Sequence, residues 1–273
     1  MLSTYIKNKK TLAALILVLL LGAWYFSRIP STEREWSDDQ RVLPYAEFNG
    51  DEVHVSNIRN FSYESVSEYT PTYYDNTFKL SELASVDYIV EPFGNIGAAH
   101  TFVSFGFENG EYLAVSVEIR KEVGESFSPF KGLLRSYELM YVIADERDVI
   151  KLRTNYRKDT VYLYPVTASK ENMKQLFIDM LTRANTLKEK PEFYNTLTST
   201  CTTNIADHIN KISPNKIPWD LRLLLPENSD ELAYELGLLD NSVSLEELRK
   251  QHQINEKAEK YADSPDFSRL IRE

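Results

Sequence analysis

Apolar positions recur along this chain in three rhythms, and each predicts a different element. Thr11 to Phe26 (TLAALILVLLLGAWYF) is an unbroken apolar run preceded by Lys7, Lys9 and Lys10. A spanning helix needs about 20 residues. The run is slightly shorter, but Tyr5-Ile6 before it and the interfacial pair Trp24-Tyr25 extend its reach. The lysines favour a cytoplasmic N-terminus, which sends everything after Arg28 outside. Residues 1–27 therefore read as a short cytoplasmic stub and a transmembrane signal anchor. A cleaved signal peptide is the alternative, although no small-x-small site follows the run. No Cys lies near the run to carry a lipid anchor.

The second rhythm is strand-like. Residues 28–44 are polar, include Pro30 and Pro44, and read as a tether. Val53 to Ile58 predicts a first short strand, and Asp87 to Val90 another, closed by Pro92 and Gly94. Phe61 to Asn76 has no helical period and reads as irregular, lying over the core. Thr101–Phe107 and Tyr112–Arg120 are two apolar runs separated by Glu-Asn-Gly-Glu, and Asn109-Gly110 is a strong hairpin signal. Tyr137 to Ala144, Val149 to Leu152 and Thr160 to Tyr164 read as further strands. The sum is an antiparallel sheet of about five to six strands, an ordinary size.

The third rhythm is helical. Ser169 caps a run in which Met173, Leu176, Phe177, Met180, Leu181, Ala184 and Leu187 recur at helical spacing, and Pro191 follows its end. A second helix starts near Thr198 to Cys201, runs through Ile205 and Ile209 to Ile212, and stops before Pro214. Two shorter helical stretches follow Trp219. The last of them, Ser244 to about Ala262, is highly charged and opens with the capping-box pair Ser244 and Glu247. It reads as a solvated helix or a protein-binding tail. The pattern predicts an α+β fold, an antiparallel sheet packed on helices. Residues 45–240 form its extracytoplasmic domain and 241–273 a charged tail.

Composition narrows the partners. A hydrophobic fraction of 42% and an aromatic fraction of 12% belong to a folded domain, and the aromatics favour strands. A formal net charge of -10 argues against nucleic acid, which requires a basic face. Cys201 is the only cysteine, so neither an intramolecular disulfide nor a cysteine-rich zinc site is expected. No cofactor or metal is expected.

The lone thiol is either a buried, inert side chain or a nucleophile. A thiol nucleophile needs a lowered pKa, a base within hydrogen-bond reach and an oxyanion site. A helix start supplies free N–H groups and a favourable dipole. Four histidines compete to be the base. His54 sits in a polar strand setting and His252 in the charged tail. His208 shares a helix face with Cys201 but lies roughly 10 Å further along the axis. His100 begins a strand after the small, flexible stretch Gly94-Asn95-Ile96-Gly97-Ala98-Ala99. A strand histidine facing a cysteine at a helix start is papain-like geometry, here with the histidine first in the chain. A structural histidine at a strand edge is the plainer reading of the same residue.

Several segments carry a family resemblance in order along the chain. They are Gly-Ala-Ala-His100-Thr-Phe-Val-Ser-Phe, Leu-Ala-Val-Ser-Val-Glu118-Ile-Arg120, Asp145-Glu-Arg147-Asp, Leu152-Arg153-Thr-Asn-Tyr-Arg157 and Phe193-Tyr-Asn-Thr-Leu-Thr-Ser-Thr-Cys201-Thr-Thr-Asn-Ile. Together, over about residues 45 to 240, they resemble the bacterial family of the N-terminal periplasmic domain of Lnb, a lipoprotein N-acyltransferase. Such domains are similar to circularly permuted NlpC-type papain-like enzymes, in which the strand histidine precedes the helix cysteine. The resemblance implies that Cys201 attacks an acyl carbonyl and forms a thioester, with His100 moving the proton. It implies a phospholipid donor, a lipoprotein α-amine acceptor and a place at the periplasmic side of the inner membrane. Relatives often carry Asn immediately before the cysteine, where this chain has Thr200.

The residue that orients the imidazole is less determined. Ser116 and Glu118 on the following strand are candidates, and Glu118 has a second reading as an ion-pair partner of Arg120, Arg147 or Arg153. A two-residue turn at Asn109-Gly110 places His100 opposite Ile119 and Glu118 on the other face, while a longer loop or a bulge reverses that. The leading expectation is a cysteine acyltransferase or amidohydrolase acting at the outer face of a membrane, with membrane lipid or lipoprotein as the sharper reading of its substrate. A wall-peptide amidohydrolase of the same chemistry is its nearest rival. A catalytically silent binding module that uses the tail from Ser244 is the reading from another class.

Overall fold

The computed structural model describes residues 2–94 and 97–273, with side chains in the first helix described from Lys9 onward. Asn95 and Ile96 of the stretch before His100 therefore lie outside the described residues. Helix α1 (Leu2–Ser27) contains an apolar span, Lys9–Ser27, long enough to cross a membrane and unburied by the rest of the chain.

Strands β1 (Tyr45–Asn49) and β2 (Glu52–Arg59) open the domain. The following segment holds a small hairpin, β3 (Ser62–Tyr63) and β4 (Tyr69–Thr70), and then β5 (Tyr73–Lys79). The expectation of an irregular Phe61–Asn76 is thus corrected in part. Its aromatics organise it, with Phe61 stacked on Tyr69 at 5.4 Å and edge-on to Tyr73 at 5.3 Å. Next come β6 (Leu83–Pro92), β7 (Ala99–Phe107), β8 (Tyr112–Arg120), the short α2 (Pro129–Leu133) and β9 (Glu138–Ala144). Helix α3 (Glu146–Lys151) runs into a π-helical turn over Leu152–Arg157, followed by β10 (Tyr162–Pro165). The remainder is helical: α4 (Lys170–Glu189), α5 (Cys201–Ile212), α6 (Ser229–Glu235), α7 (Leu245–His252), α8 (Asn255–Lys260) and α9 (Phe267–Leu270).

The expected strand at Val149–Leu152 is therefore helix. Three apolar residues in a run of four do not distinguish the two states, and the capping chemistry decides. The Asp145 carboxylate accepts from the Arg147 N–H, and Glu146 and Asp148 occupy the first turn.

The main sheet has eight strands in the order β1-β2-β9-β8-β7-β6-β10, with β5 also paired to β2. All its pairings are antiparallel except the short parallel contact of β2 with β9. Alternate residues on the central strands feed two apolar layers. Val103, Phe105, Val115 and Val117 pack against the buried stripe of α4, from Met173 through Phe177 and Met180 to Leu187, and against Ile205 of α5. Phe102, Ala114, Met140 and Val142 pack against Val149 and Ile150 of α3 and against Ile254, Ala258, Phe267 and Ile271.

The last four of those residues belong to the segment read from sequence as a solvated tail. In the fold it is a covering layer. Arg272 pairs with the buried carboxylates of Asp87 and Glu146 at 2.8 and 2.6 Å, and Arg249 with Asp230 at 2.8 Å. The tether is likewise laid onto the domain. Trp36 is buried beneath the Arg120 guanidinium at 4.2 Å, and Gln40 bonds to the Lys121 N–H.

The β7–β8 hairpin positions the site. Gly110 has φ +86° while Asn109 is not left-handed, and the Phe107 and Gly110 N–H groups close the turn onto Glu111 and Phe107 carbonyls. This is a three-residue loop with Gly at the left-handed position, not the two-residue turn. Phe102 consequently stands opposite Ser116. Continued two residues further, the register sets His100 beside Glu118, on one face with it.

Candidate functional site

Helix α5 begins at Cys201 because Thr200 caps it. The Thr200 hydroxyl accepts from the Thr203 N–H at 3.2 Å, and Thr203 Oγ1 accepts from the Thr200 N–H at 2.7 Å. Asn204 reinforces the turn, its amide donating to the Thr200 carbonyl at 2.8 Å and to Ser199 Oγ at 3.1 Å. Position 200, where relatives often have Asn, thus serves as the cap. Cys201 takes the first helical position, where its N–H has no intrahelical acceptor and the dipole favours an anion.

His100, on β7, stands close enough to the Cys201 thiol for each to shift the other's ionisation. Its Nε2 is engaged elsewhere, 2.7 Å from Ser116 Oγ and 3.2 Å from Glu118 Oε1. That leaves Nδ1 for the sulfur. Ser116 donates its one hydroxyl proton to Glu118 Oε1 at 2.8 Å, so it accepts from Nε2–H. Both residues named as candidates for orienting the ring therefore stand behind it in series. The thiol lies 3.7 Å from Thr202 Oγ1, which in turn meets Oγ1 of Thr101, next on β7, at 2.9 Å.

A buried ion pair fixes this assembly. Arg153, on the π-helical turn, donates to Glu91 Oε2 at 2.6 Å and to Glu118 Oε1 at 3.2 Å. Its guanidinium lies over the Phe102 ring at 4.8 Å, and Phe102 stacks on His100 at 5.8 Å. Glu91 faces His100 across the β6–β7 pair, so two carboxylates, from the strands on either side of β7, share Arg153. Of the three partners considered for Glu118, Arg153 is the one found. Arg120 binds the carbonyls of Gln40 and Arg41, and Arg147 binds Asp145.

Electrostatics follow from these contacts. Burial by itself pushes the Cys201 thiol up, but the His100 hydrogen bond and charge, with Thr101, bring it down to about 7. Burial pulls His100 down, and the Glu118 carboxylate and Cys201 outweigh it, pushing the imidazole up to about 10. Burial also opposes ionisation of Glu118, yet His100 and Arg153 hold its carboxyl well below the usual range. Near neutrality these directions favour a thiolate–imidazolium pair backed by a carboxylate.

The other histidines are apart from the thiol. His54 pairs with Thr77 Oγ1 at 2.9 Å, and His252 packs on the Tyr164 ring at 5.6 Å. His208 is buried between Asp179 at 2.5 Å and the Tyr141 hydroxyl at 2.6 Å. Sequence reasoning passed over Thr101 and Thr202 as contributors; nothing in their spacing distinguishes them from ordinary strand and helix threonines.

Beside the site, an apolar cavity of about 340 Å³ opens between α5, α6 and the sheet, lined in part by Tyr88, Val103, Thr202, Ile205, Ile209 and Leu232. Its size lies within the range of small-molecule pockets.

Fold and site together define an α+β domain, attached to an apolar helix of spanning length, with a cysteine and a histidine brought together at a helix start. The chain belongs to the family of the Lnb N-terminal periplasmic domain, whose family model matches residues 69–227, more than half of its length. Comparison with curated proteins and with solved structures gave no match.

Proposed function

We propose that this protein is a cysteine-dependent acyl-transfer enzyme, anchored in the inner membrane with its domain on the periplasmic side. One observation carries the reading. The Cys201 thiol, on the first turn of α5, is brought down by a neighbouring imidazole whose Nε2 is held by Ser116 and Glu118. A thiol placed this way has its nucleophile, base and orienting group in one line.

The thiolate attacks the carbonyl carbon of an ester, and the Cys201 N–H at the free end of α5 stabilises the oxyanion. The ester C–O bond breaks, the departing alkoxide takes the proton from His100, and an acyl thioester remains on Cys201. An incoming amine attacks that thioester and gives up its proton to His100. The thiolate leaves, and an amide is released. The apolar cavity beside Thr202 supports a substrate with a long hydrocarbon part, and the family membership supports a membrane phospholipid as donor and a lipoprotein α-amine as acceptor.

The test is chemical. The full chain, reconstituted in phospholipid vesicles with isotopically labelled acyl chains, is acid-quenched and the Cys201 peptide analysed by mass spectrometry. A hydroxylamine-labile adduct of acyl mass is expected, absent in Cys201→Ser and strongly reduced in His100→Ala. A peptide-derived adduct formed only with wall fragments would replace phospholipid as donor. No adduct from either source, together with the alkylation rate of an ordinary thiol, would overturn the enzyme reading.

A further inference from the structure

Exposed apolar side chains lie on two neighbouring loops, one of which leads into Cys201. The loop between β8 and β9 presents Phe127 and Phe130, 46% and 68% exposed, and the loop leading into α5 presents Leu197, 56% exposed. The two loops form one surface, because Thr196 Oγ1 donates to the Pro129 carbonyl at 2.7 Å. A Cβ on Gly132 would stand 2.3 Å from that same hydroxyl, so this glycine permits the close approach. Large apolar groups left together in water beside a polar, buried site mark a binding surface more often than chance exposure.

The occupant follows from where α1 ends. The Arg135 guanidinium, a few residues after Phe130, lies over the rings of Tyr25 and Phe26 at 4.5 and 5.4 Å and over Phe193 at 5.7 Å. Arg28 covers Trp24 at 5.4 Å. Trp, Tyr and Arg at the end of an apolar span are the residues that settle at head-group depth. The loop carrying Phe127 and Phe130 therefore adjoins the end of the span. The charge distribution agrees. A chain of net charge -10 gains little general attraction to an anionic bilayer, but exposed Lys131 and the neighbouring Arg28 and Arg135 give this patch a local basic rim.

We propose that Phe127, Phe130 and Leu197 insert into the interfacial layer of the bilayer that α1 spans. The protein then has two attachments, a helix through the membrane and an aromatic–aliphatic patch on its surface, and the second orients the Cys201 side of the domain toward lipid. Apolar side chains at this depth are held by burial of surface in the acyl boundary.

The only cysteine is Cys201, so Cys201→Ser provides a cysteine-free full-length chain. Into it, Phe130→Cys, Leu197→Cys and, as a control on the exposed tip of the β7–β8 hairpin, Asn109→Cys are introduced singly and labelled with an environment-sensitive nitrobenzoxadiazole fluorophore. The chains are reconstituted in phosphatidylcholine–phosphatidylglycerol vesicles containing head-group or shallow-chain nitroxide lipids. The expected result is a blue-shifted emission at 130 and 197 and nitroxide quenching several-fold stronger than at 109. Equal, water-like emission and quenching at all three positions would overturn the proposal and leave the patch to a protein partner. Because the measurement omits Cys201, it stands apart from the acyl-transfer reading. Deep labels with no thioester would sink that reading alone, and a thioester with water-exposed labels would sink this proposal alone.

Discussion

Ser116 Oγ lies 2.7 Å from His100 Nε2 and has already given its proton to Glu118, so it accepts a hydrogen bond from the ring. This one contact fixes which imidazole nitrogen carries a proton away from the sulfur and which one faces it. It also explains why a carboxylate on the neighbouring strand governs a thiol on a helix it does not touch.

The thiol titrates early and the imidazole late. With Cys201 lowered to about 7 and His100 raised to about 10, iodoacetamide alkylation of Cys201 should rise through a midpoint near 7. The reactive ion pair should persist until His100 loses its proton near 10. In His100→Ala, burial meets only the weaker opposition of Thr101 and the midpoint moves up toward the ordinary thiol value of about 8.5. A wild-type midpoint at or above that value would contradict the ion pair.

Replacing the two groups behind the ring should separate their roles. Glu118→Gln removes the charge that holds His100 protonated, so the imidazole midpoint falls and the thiol midpoint rises. Thioester formation should drop on the order of 10²- to 10⁴-fold. Ser116→Ala removes the hydroxyl between the ring and Glu118, and the bond lost by the ring is worth about 1 kcal/mol, while Glu118 Oε1 remains 3.2 Å from Nε2. The loss should be about fivefold. Equal, small effects from both variants would show that neither positions the ring.

Arg153 should matter for stability before it matters for chemistry. Arg153→Met leaves the fully buried Glu91 carboxylate only the longer contact with Arg157 at 3.4 Å, and breaking such a buried pair costs about 3–5 kcal/mol. Urea denaturation of the full chain in detergent should show that loss. Arg153→Met combined with Glu91→Gln should recover part of it, because the buried charge is then gone. An unchanged transition midpoint in the single variant would contradict the buried pair.

The C-terminal helices should behave as core. Phe267→Ala empties a fully buried position and should cost about 3–5 kcal/mol, measured by the same denaturation. Arg272→Ala should also destabilise, since Asp87 and Glu146 lose their shared partner. Were this segment a detachable arm, both changes would fall within about 0.5 kcal/mol, as surface substitutions do.

What could be read from the sequence follows the strength of each local signal. The α4 stripe from Met173 to Leu187, the cap at Ser169, the helix start at Cys201 and the strands around Asn109-Gly110 all carried redundant patterns, and all are present. Val149–Leu152 carried only three apolar residues, and the deciding Asp145 cap lay outside them. The charged run after Ser244 misled because its few apolar residues, Leu248, Ile254 and Ala258, are diluted by surface charge although each is buried. Cys201 and His100 were singled out by chain order, by helix-start placement and by the family resemblance of the segments around them. Their relation to Glu118 was not legible, because the parity of a hairpin depends on which residue of the turn takes positive φ. Asn-Gly permits either outcome, and here only Gly110 does so.

That turn has a consequence for how the domain can vary. Loop tips are where chains usually accept insertions and deletions most freely. Between Phe107 and Glu111, losing or gaining a single residue would turn β8 over and carry Ser116 and Glu118 away from His100 together. The distance from that tip to Glu118 is about 27 Å at the rise of an extended strand. Variation in its side chains is cheap, whereas its length acts as a remote setting of the site, tolerant only of changes that preserve parity.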